Sequence, residues 1–114
     1  MNNAVLDKSY HFSIRIVKLY KYLHDTKKEY TMSRQLLRCG TSIGANIAEA
    51  QQAQSRADFV SKLNIALKES AETDYWLHLF YDTGYLTKMQ FTSIIADCKE
   101  IEHLLISIVK SIKE

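Results

Sequence analysis

The sequence predicts an all-α chain folded as an antiparallel up-down-up-down four-helix bundle, and three observations carry that prediction. Apolar residues recur at steps of three and four through four separate segments, the spacing that puts them on one side of an α-helix. Proline is absent and glycine stands only at positions 40, 44 and 84, too sparse a supply for the turns of a β protein. The connections between segments are short, which forces sequential helices to lie antiparallel. The expected helices cover 6–28, 34–52, 56–83 and 88–113 of a single domain, 1–114, a usual domain size. A hydrophobic fraction of 46% and a charged fraction of 25% are ordinary for a folded soluble chain and argue against disorder.

The first helix takes its apolar stripe from Val5, Phe12, Ile16, Leu19 and Leu23, with Tyr20 beside it. Lys8, His11, Arg15 and Lys18 repeat at steps of three and four on another side, with Lys21, Lys27 and Lys28 nearby. Only Asp7 and Asp25 oppose these cations, so the outer face of this helix is expected to be the basic one.

A polar connection, Glu29 to Met32, leads to Ser33, expected to cap the second helix by accepting an otherwise unpaired backbone N–H. That helix carries Gly40 and Gly44 inside an apolar pattern of Leu36, Ile43, Ile47 and Ala50. Each interior Gly costs about 0.5–1 kcal/mol relative to Ala. Four residues apart, the two share a side and leave a narrow track where another backbone or a bulky side chain can come close. Ser42, Asn46 and Glu49 make a second track, and this one is polar. The second helix is therefore expected to pack on more than one side.

The third helix opens at Ser55-Arg-Ala-Asp58, close to a capping box although Asp is shorter than the usual Glu or Gln. Phe59, Leu63, Ala66, Leu77 and Phe80 form its seam, Ser70 and Thr73 are small breaks in it, and Tyr75, Trp76 and Leu79 broaden its end. Gly84 suits the left-handed conformation that terminates a helix. Thr87-Lys-Met-Gln90 is a full capping box for the fourth helix, where Phe91, Ile94, Cys98, Ile101, Leu105, Ile108 and Ile112 keep a three-four repeat with Ile95 and Val109 alongside. This is the strongest periodic signal in the chain. The first helix is net positive, whereas the third sets Asp58, Glu69, Glu72, Asp74 and Asp82 against Arg56, Lys62 and Lys68. Complementary faces of this kind meet either inside one bundle or between copies of it.

Cys39 and Cys98 are expected to be reduced, partly buried small hydrophobes. No run approaches the ~18–20 apolar residues of a membrane span, and the N-terminal stretch has no signal-peptide core. The chain is expected to be cytoplasmic, with no membrane partner.

The segment Arg38-Cys-Gly-Thr-Ser-Ile-Gly-Ala-Asn-Ile-Ala-Glu49 is followed by Asp58-Phe59, by Ile65-Ala-Leu-Lys-Glu-Ser-Ala-Glu72, and then by Trp76-Leu77 and Gly84-Tyr-Leu86. Together these residues resemble the 23S rRNA intervening-sequence proteins, small bacterial four-helix-bundle proteins, and the resemblance covers nearly the whole chain. It implies a ring-like homo-oligomer, a pentamer, without a settled activity. A similar fold occurs in the accessory variability proteins of diversity-generating retroelements, whose basic rings work with a reverse transcriptase and nucleic acid. The formal charge of only +2 sets this chain apart from those strongly basic relatives and weakens any transfer of their role.

Helical bundles host metals, and a di-iron or di-manganese carboxylate site needs two Glu-x-x-His motifs. Glu100-Ile-Glu-His103 supplies one and the chain holds no second, while His103 lies off the apolar seam. No Gly-rich phosphate loop or Cys-x-x-Cys is present either. The expectation is a non-enzymatic protein without metal or cofactor. Arg38 is expected to pair with a carboxylate of Glu49, Glu69 or Glu72, in a polar network that also takes in Ser42 and Asn46, because buried charges need partners. That network reads as a device fixing helix register or oligomer geometry, and the alternative is a small-molecule or partner site. For binding, Lys8, His11, Arg15, Lys18 and Lys21, interleaved with Tyr10 and Tyr22, suit phosphates through charge and bases or sugars through rings. A ring presents such a stripe in several copies and raises avidity without new contacts. RNA or a nucleic-acid complex is the expected partner. The alternative is a protein-interaction or assembly module whose contacts come from Tyr75, Trp76, Tyr81 and Tyr85.

Overall fold

The computed structural model describes residues 3–113, and among them lie four helices and no strand: α1 (Asn3–Asp25), α2 (Met32–Ala50), α3 (Arg56–Asp82) and α4 (Lys88–Lys113). Residues 1, 2 and 114 of the expected domain fall outside that range. Sequential helices pack along their length, α1 and α4 close the circuit more sparsely, and among the described residues the backbones of the diagonal pairs stay apart across the shared core. The bundle is a rod, 43 Å long and 21 by 19 Å across.

α1 ends at Asp25 rather than at Lys28. Lys28 takes a left-handed φ of 58°, and the N–H of Glu29 reaches back to the carbonyl of Leu23 at 2.9 Å. Ser33 is not the cap of α2, which already begins at Met32. Glu29 does that work: one carboxylate oxygen accepts from the N–H groups of Thr31 and Met32 at 3.1 and 2.9 Å, and the other accepts from Ser33 at 2.7 Å. The Ser33 hydroxyl turns back to the Glu29 carbonyl. A carboxylate here satisfies several orphan donors at once and places negative charge at the positive end of the helix dipole. Burial pushes the Glu29 carboxyl up, but the bonds from Met32, Ser33 and Thr31 together outweigh it and hold the group below the usual carboxylate range.

The other ends follow their sequence signals. Ser55 accepts from the Asp58 N–H at 3.0 Å, while the shorter Asp58 side chain takes the N–H of Gln54 instead of that of Ser55. Gly84 has φ 87°, with Tyr85 N–H bonded to Phe80 and Gly84 N–H to Tyr81, the double bond pattern that closes a helix in a Schellman motif. The Thr87 and Gln90 box forms both reciprocal bonds, at 2.8 and 3.1 Å.

The core takes Val5, Phe12, Ile16 and Leu23 from α1, Leu36, Ile43 and Ile47 from α2, Leu63, Leu77 and Phe80 from α3, and Ile94, Cys98, Ile101 and Leu105 from α4. Near the end of α4 the buried residue is Val109, and the expected Ile108 is only half-buried. A straight helix drifts about 20° per heptad against a seven-residue repeat, which carries the seam one position on. The glycine track is occupied by α1. A Cβ on Gly40 would stand 2.8 Å from Ile16, and one on Gly44 3.1 Å from the Ser13 hydroxyl and 3.2 Å from the Ser9 carbonyl. Ser9 and Ser13 return their own hydroxyls to the α1 backbone, so no donor is stranded at the contact.

Candidate functional site

The expected basic outer face of α1 divides into two parts. Its first half is a flank turned toward α4: Lys8 Nζ lies 2.6 Å from Glu100, and Arg15 donates to Asp97 at 2.6 Å and to the Ser93 hydroxyl at 2.9 Å. The Glu100 carboxylate holds the Lys8 ammonium above its usual range. The His11 ring stays local, 3.6 Å from the Asp7 carboxylate. The partners on α4, Ser93, Asp97 and Glu100, are themselves spaced four and three. That spacing is the signal that would have found them, had it been set against the cations of α1.

The second half is different. Lys18 and Lys21 are exposed and have no ion pair among the described residues, and the same holds for Lys27, Lys28 and Arg34. The turn between α1 and α2 gathers these cations at one end of the rod, where the Asp25 carboxylate is bonded to His24 and that of Glu29 is buried against the N–H groups that open α2. Lys27 sits 5.9 Å over the Tyr22 ring. Beside them Arg15, Lys18, Leu19, Tyr22, Leu86, Gln90 and Ile94 line an open cavity of about 260 Å³ between α1 and α4. Its walls combine cations, an aromatic ring and an amide, groups able to meet phosphate, base face and base edge. Lys27 and Lys28 belong to the basic stretch read from the sequence, but Arg34 and the Gln90 wall do not, because they lie on separate segments that only the fold joins.

The polar track also separates. Arg38 forms a pair with Glu72 at 2.6 Å and a longer contact with Glu69 at 3.4 Å, all within one chain, yet its side chain is 51% exposed. It is a surface clamp between α2 and α3, not a buried network. Glu72 also accepts from the Trp76 indole at 3.0 Å, and the Trp76 and Arg38 donors hold its carboxyl below the usual range. Glu49 joins Lys62 instead, at 3.2 Å. Ser42 and Asn46 donate to the backbone of their own helix, to the carbonyls of Arg38 and Ser42, and take no part in a side-chain network. One cluster went unanticipated: Lys99 on α4 bonds Asp74 and reaches Glu102, while His78 also meets Asp74 at 2.8 Å. It answers part of the acidic charge of α3 from within the bundle.

Glu100 of the single Glu-x-x-His motif is engaged by Lys8, and His103 is exposed. Among the described residues no three His, Cys, Asp or Glu side chains are placed to share a metal ion. Cys39 and Cys98 are free and fully buried, and burial pushes their thiols up to about 11 and about 12. Such thiols carry almost no thiolate near neutral pH and are poor nucleophiles. No helix among the described residues is long and apolar enough to cross a membrane.

Residues 1–107 match the family of the 23S rRNA-intervening sequence protein. The chain is also similar to the crystal structure, at 1.70 Å resolution, of a protein of unknown function from the S23 ribosomal protein family of Bacteroides thetaiotaomicron VPI-5482. The two share 62% identity over 95% of this chain and 96% of that one, with a TM-score of 0.93. No curated protein matches the chain.

Proposed function

The chain belongs to the 23S rRNA-intervening sequence protein family, and on that premise we propose that it acts without catalysis, as a cytoplasmic homo-oligomer that holds RNA or a ribonucleoprotein. The pentameric ring belongs to this reading through the family resemblance. The observation that carries the nucleic-acid role is the group of cations without an ion pair among the described residues, Lys18, Lys21, Lys27, Lys28 and Arg34, toward the end of the rod where α1 gives way to α2. Charge already neutralised by a neighbouring carboxylate has little left for a phosphate, so Lys8 and Arg15 serve the bundle and the unpaired group serves the partner. Tyr22, lining the adjacent cavity, offers a ring on which a base can stack.

The test is retention of RNA and single-stranded DNA by the purified protein as salt is raised. Binding through several phosphates weakens steeply with salt. The double variant Lys18→Glu, Lys21→Glu should lose more than about tenfold in affinity, whereas Lys8→Gln should change it little. Absence of retention even at low salt would remove this role. It would leave the second reading, an assembly module, which the exposed apolar surface of α3 and α4 favours independently.

A further inference from the structure

α3 carries apolar residues on more than its inner side. Beyond the core seam, Val60 and Ile65 join Ile112 of α4 along an open groove of about 840 Å³ on the outside of the bundle. Ile65 is 39% exposed. The groove is edged by Arg56 and Lys68, and neither has a carboxylate partner among the described residues; Arg56 donates to the Ile112 carbonyl. It is thus an apolar floor with a cationic rim.

A surface of matching chemistry exists on the same molecule, but on its far side. Tyr10 is 65% exposed and Ile14 38%, one turn apart on the outside of α1, and Asp7 precedes them on the same face. Among the described residues the Asp7 carboxylate is 74% exposed, and its one ion-pair contact is the His11 ring at 3.6 Å. Past Ile14 the outer face of α1 turns cationic at Lys18 and Lys21, which bounds the apolar strip to the half of the rod where α1 and α3 begin. α1 and α3 stand on a diagonal of the bundle, so the strip and the groove face opposite ways and cannot meet within one chain.

We infer that the α3–α4 groove receives the Tyr10 and Ile14 strip of a second copy of this chain, with Asp7 of one copy set against the Arg56 and Lys68 rim of the next. The inference rests on the homo-oligomer reading above and names the two surfaces that make it. Unlike patches on opposite sides form a head-to-tail contact, which a two-fold dimer cannot satisfy; repeated, it closes into a ring when the rotation per copy allows. Burial of exposed apolar side chains supplies the attraction, and the charges at the edge set the register.

The experiment is native mass measurement on the wild type, on Tyr10→Asp, on Ile65→Asp, and on an equimolar mixture of the two variants, with circular dichroism to verify that each is folded. Both substitutions sit at exposed positions and should leave the fold intact. Wild type should be an oligomer and each variant alone a monomer. The mixture should give dimers and nothing larger, because one intact groove and one intact strip remain between the two variants. An oligomeric wild type whose mass is unchanged by either folded variant would overturn the assignment of the surfaces while leaving the homo-oligomer reading in place. A monomeric wild type at micromolar concentration would overturn that reading and the inference with it. As a second handle, Lys68→Glu should loosen the wild-type assembly and Asp7→Lys in the same chain should restore it; no restoration would place the rim outside the contact.

Discussion

α1 meets its two neighbours by opposite means. Against α2 it lies on glycine: Gly40 and Gly44 leave no Cβ in the way, and Ile16 sits where a methyl group would stand. Against α4 it is spaced by long side chains, Lys8 reaching Glu100 and Arg15 reaching Asp97, with open cavities along the seam. The first seam gains from close packing in a dry interface, where each small overlap or gap is felt. The second gains little per ion pair, because half-exposed charges give up good hydration for their partners and are screened by salt. Adjacent flanks of one helix thus differ in what they contribute: the α2 side holds the bundle together, and the α4 side sets how α4 lies while leaving room for water and ligands.

The largest effect that sharpens this contrast belongs to Gly40→Ala. Ala is the better helix former by about 0.5–1 kcal/mol, yet its Cβ would fall within 2.8 Å of the fully buried Ile16. Overpacking of that kind costs about 1–3 kcal/mol, so the variant should be less stable in urea despite its better propensity. Adding Ile16→Val should recover part of the loss if that contact is the cause. A stabilised Gly40→Ala would break the comparison at its stronger side.

Next comes the joint that leads α1 into α2. Glu29→Gln keeps the shape but removes the charge that three backbone N–H groups share, and should cost about 1–2 kcal/mol near neutral pH. The folded Glu29 carboxyl is held below its ordinary range, so its contribution is complete above the unfolded pKa of about 4.3 and fades as pH falls through the folded value. The stability gap between wild type and Glu29→Gln should therefore be flat from neutral pH to about 5 and narrow below about 4. A gap that widened on acidification would show that the cap does not depend on the carboxylate.

The smallest effects should lie on the α4 side. Arg15→Met should cost about 0–1 kcal/mol, and less as salt is added. Lys8→Met should leave the unfolding midpoint where it was, since that side chain is solvated beside Glu100. If Arg15→Met proved as damaging as Gly40→Ala, the division between the two seams would fail.

Much of this architecture was legible in the chain. The stripe Val5, Phe12, Ile16 and Leu23, the Thr87 and Gln90 box and the Gly84 stop all rest on local geometry, and each stands in the structure as its spacing implies. Local competition accounts for two misses. Ser33 has the side chain of a cap, but the Glu29 carboxylate, four residues earlier, takes the N–H groups of Thr31, Met32 and Ser33 and starts the helix sooner, at Met32. Ser42 and Asn46 looked like members of a shared network, but a carbonyl of their own helix, one turn back, was the nearer partner. The ion pairs that hold Lys8 and Arg15 were not legible in the chain, because their partners sit on a helix some eighty to ninety residues away.

By itself, then, the sequence determined the number of helices, their inward stripes and most of their ends, since these depend on periodicity and on groups within a turn or two of each other. Only the tertiary structure decided which neighbour each flank of α1 would meet. An apolar stripe says which way is in, but a four-helix circuit can turn in either sense, and the two senses exchange α2 and α4 across α1. In the sense adopted, Ser9 and Ser13 fall on the glycine track while Lys8 and Arg15 fall on the carboxylates of α4, which leaves Lys18 and Lys21 as the cations of α1 still open to a partner.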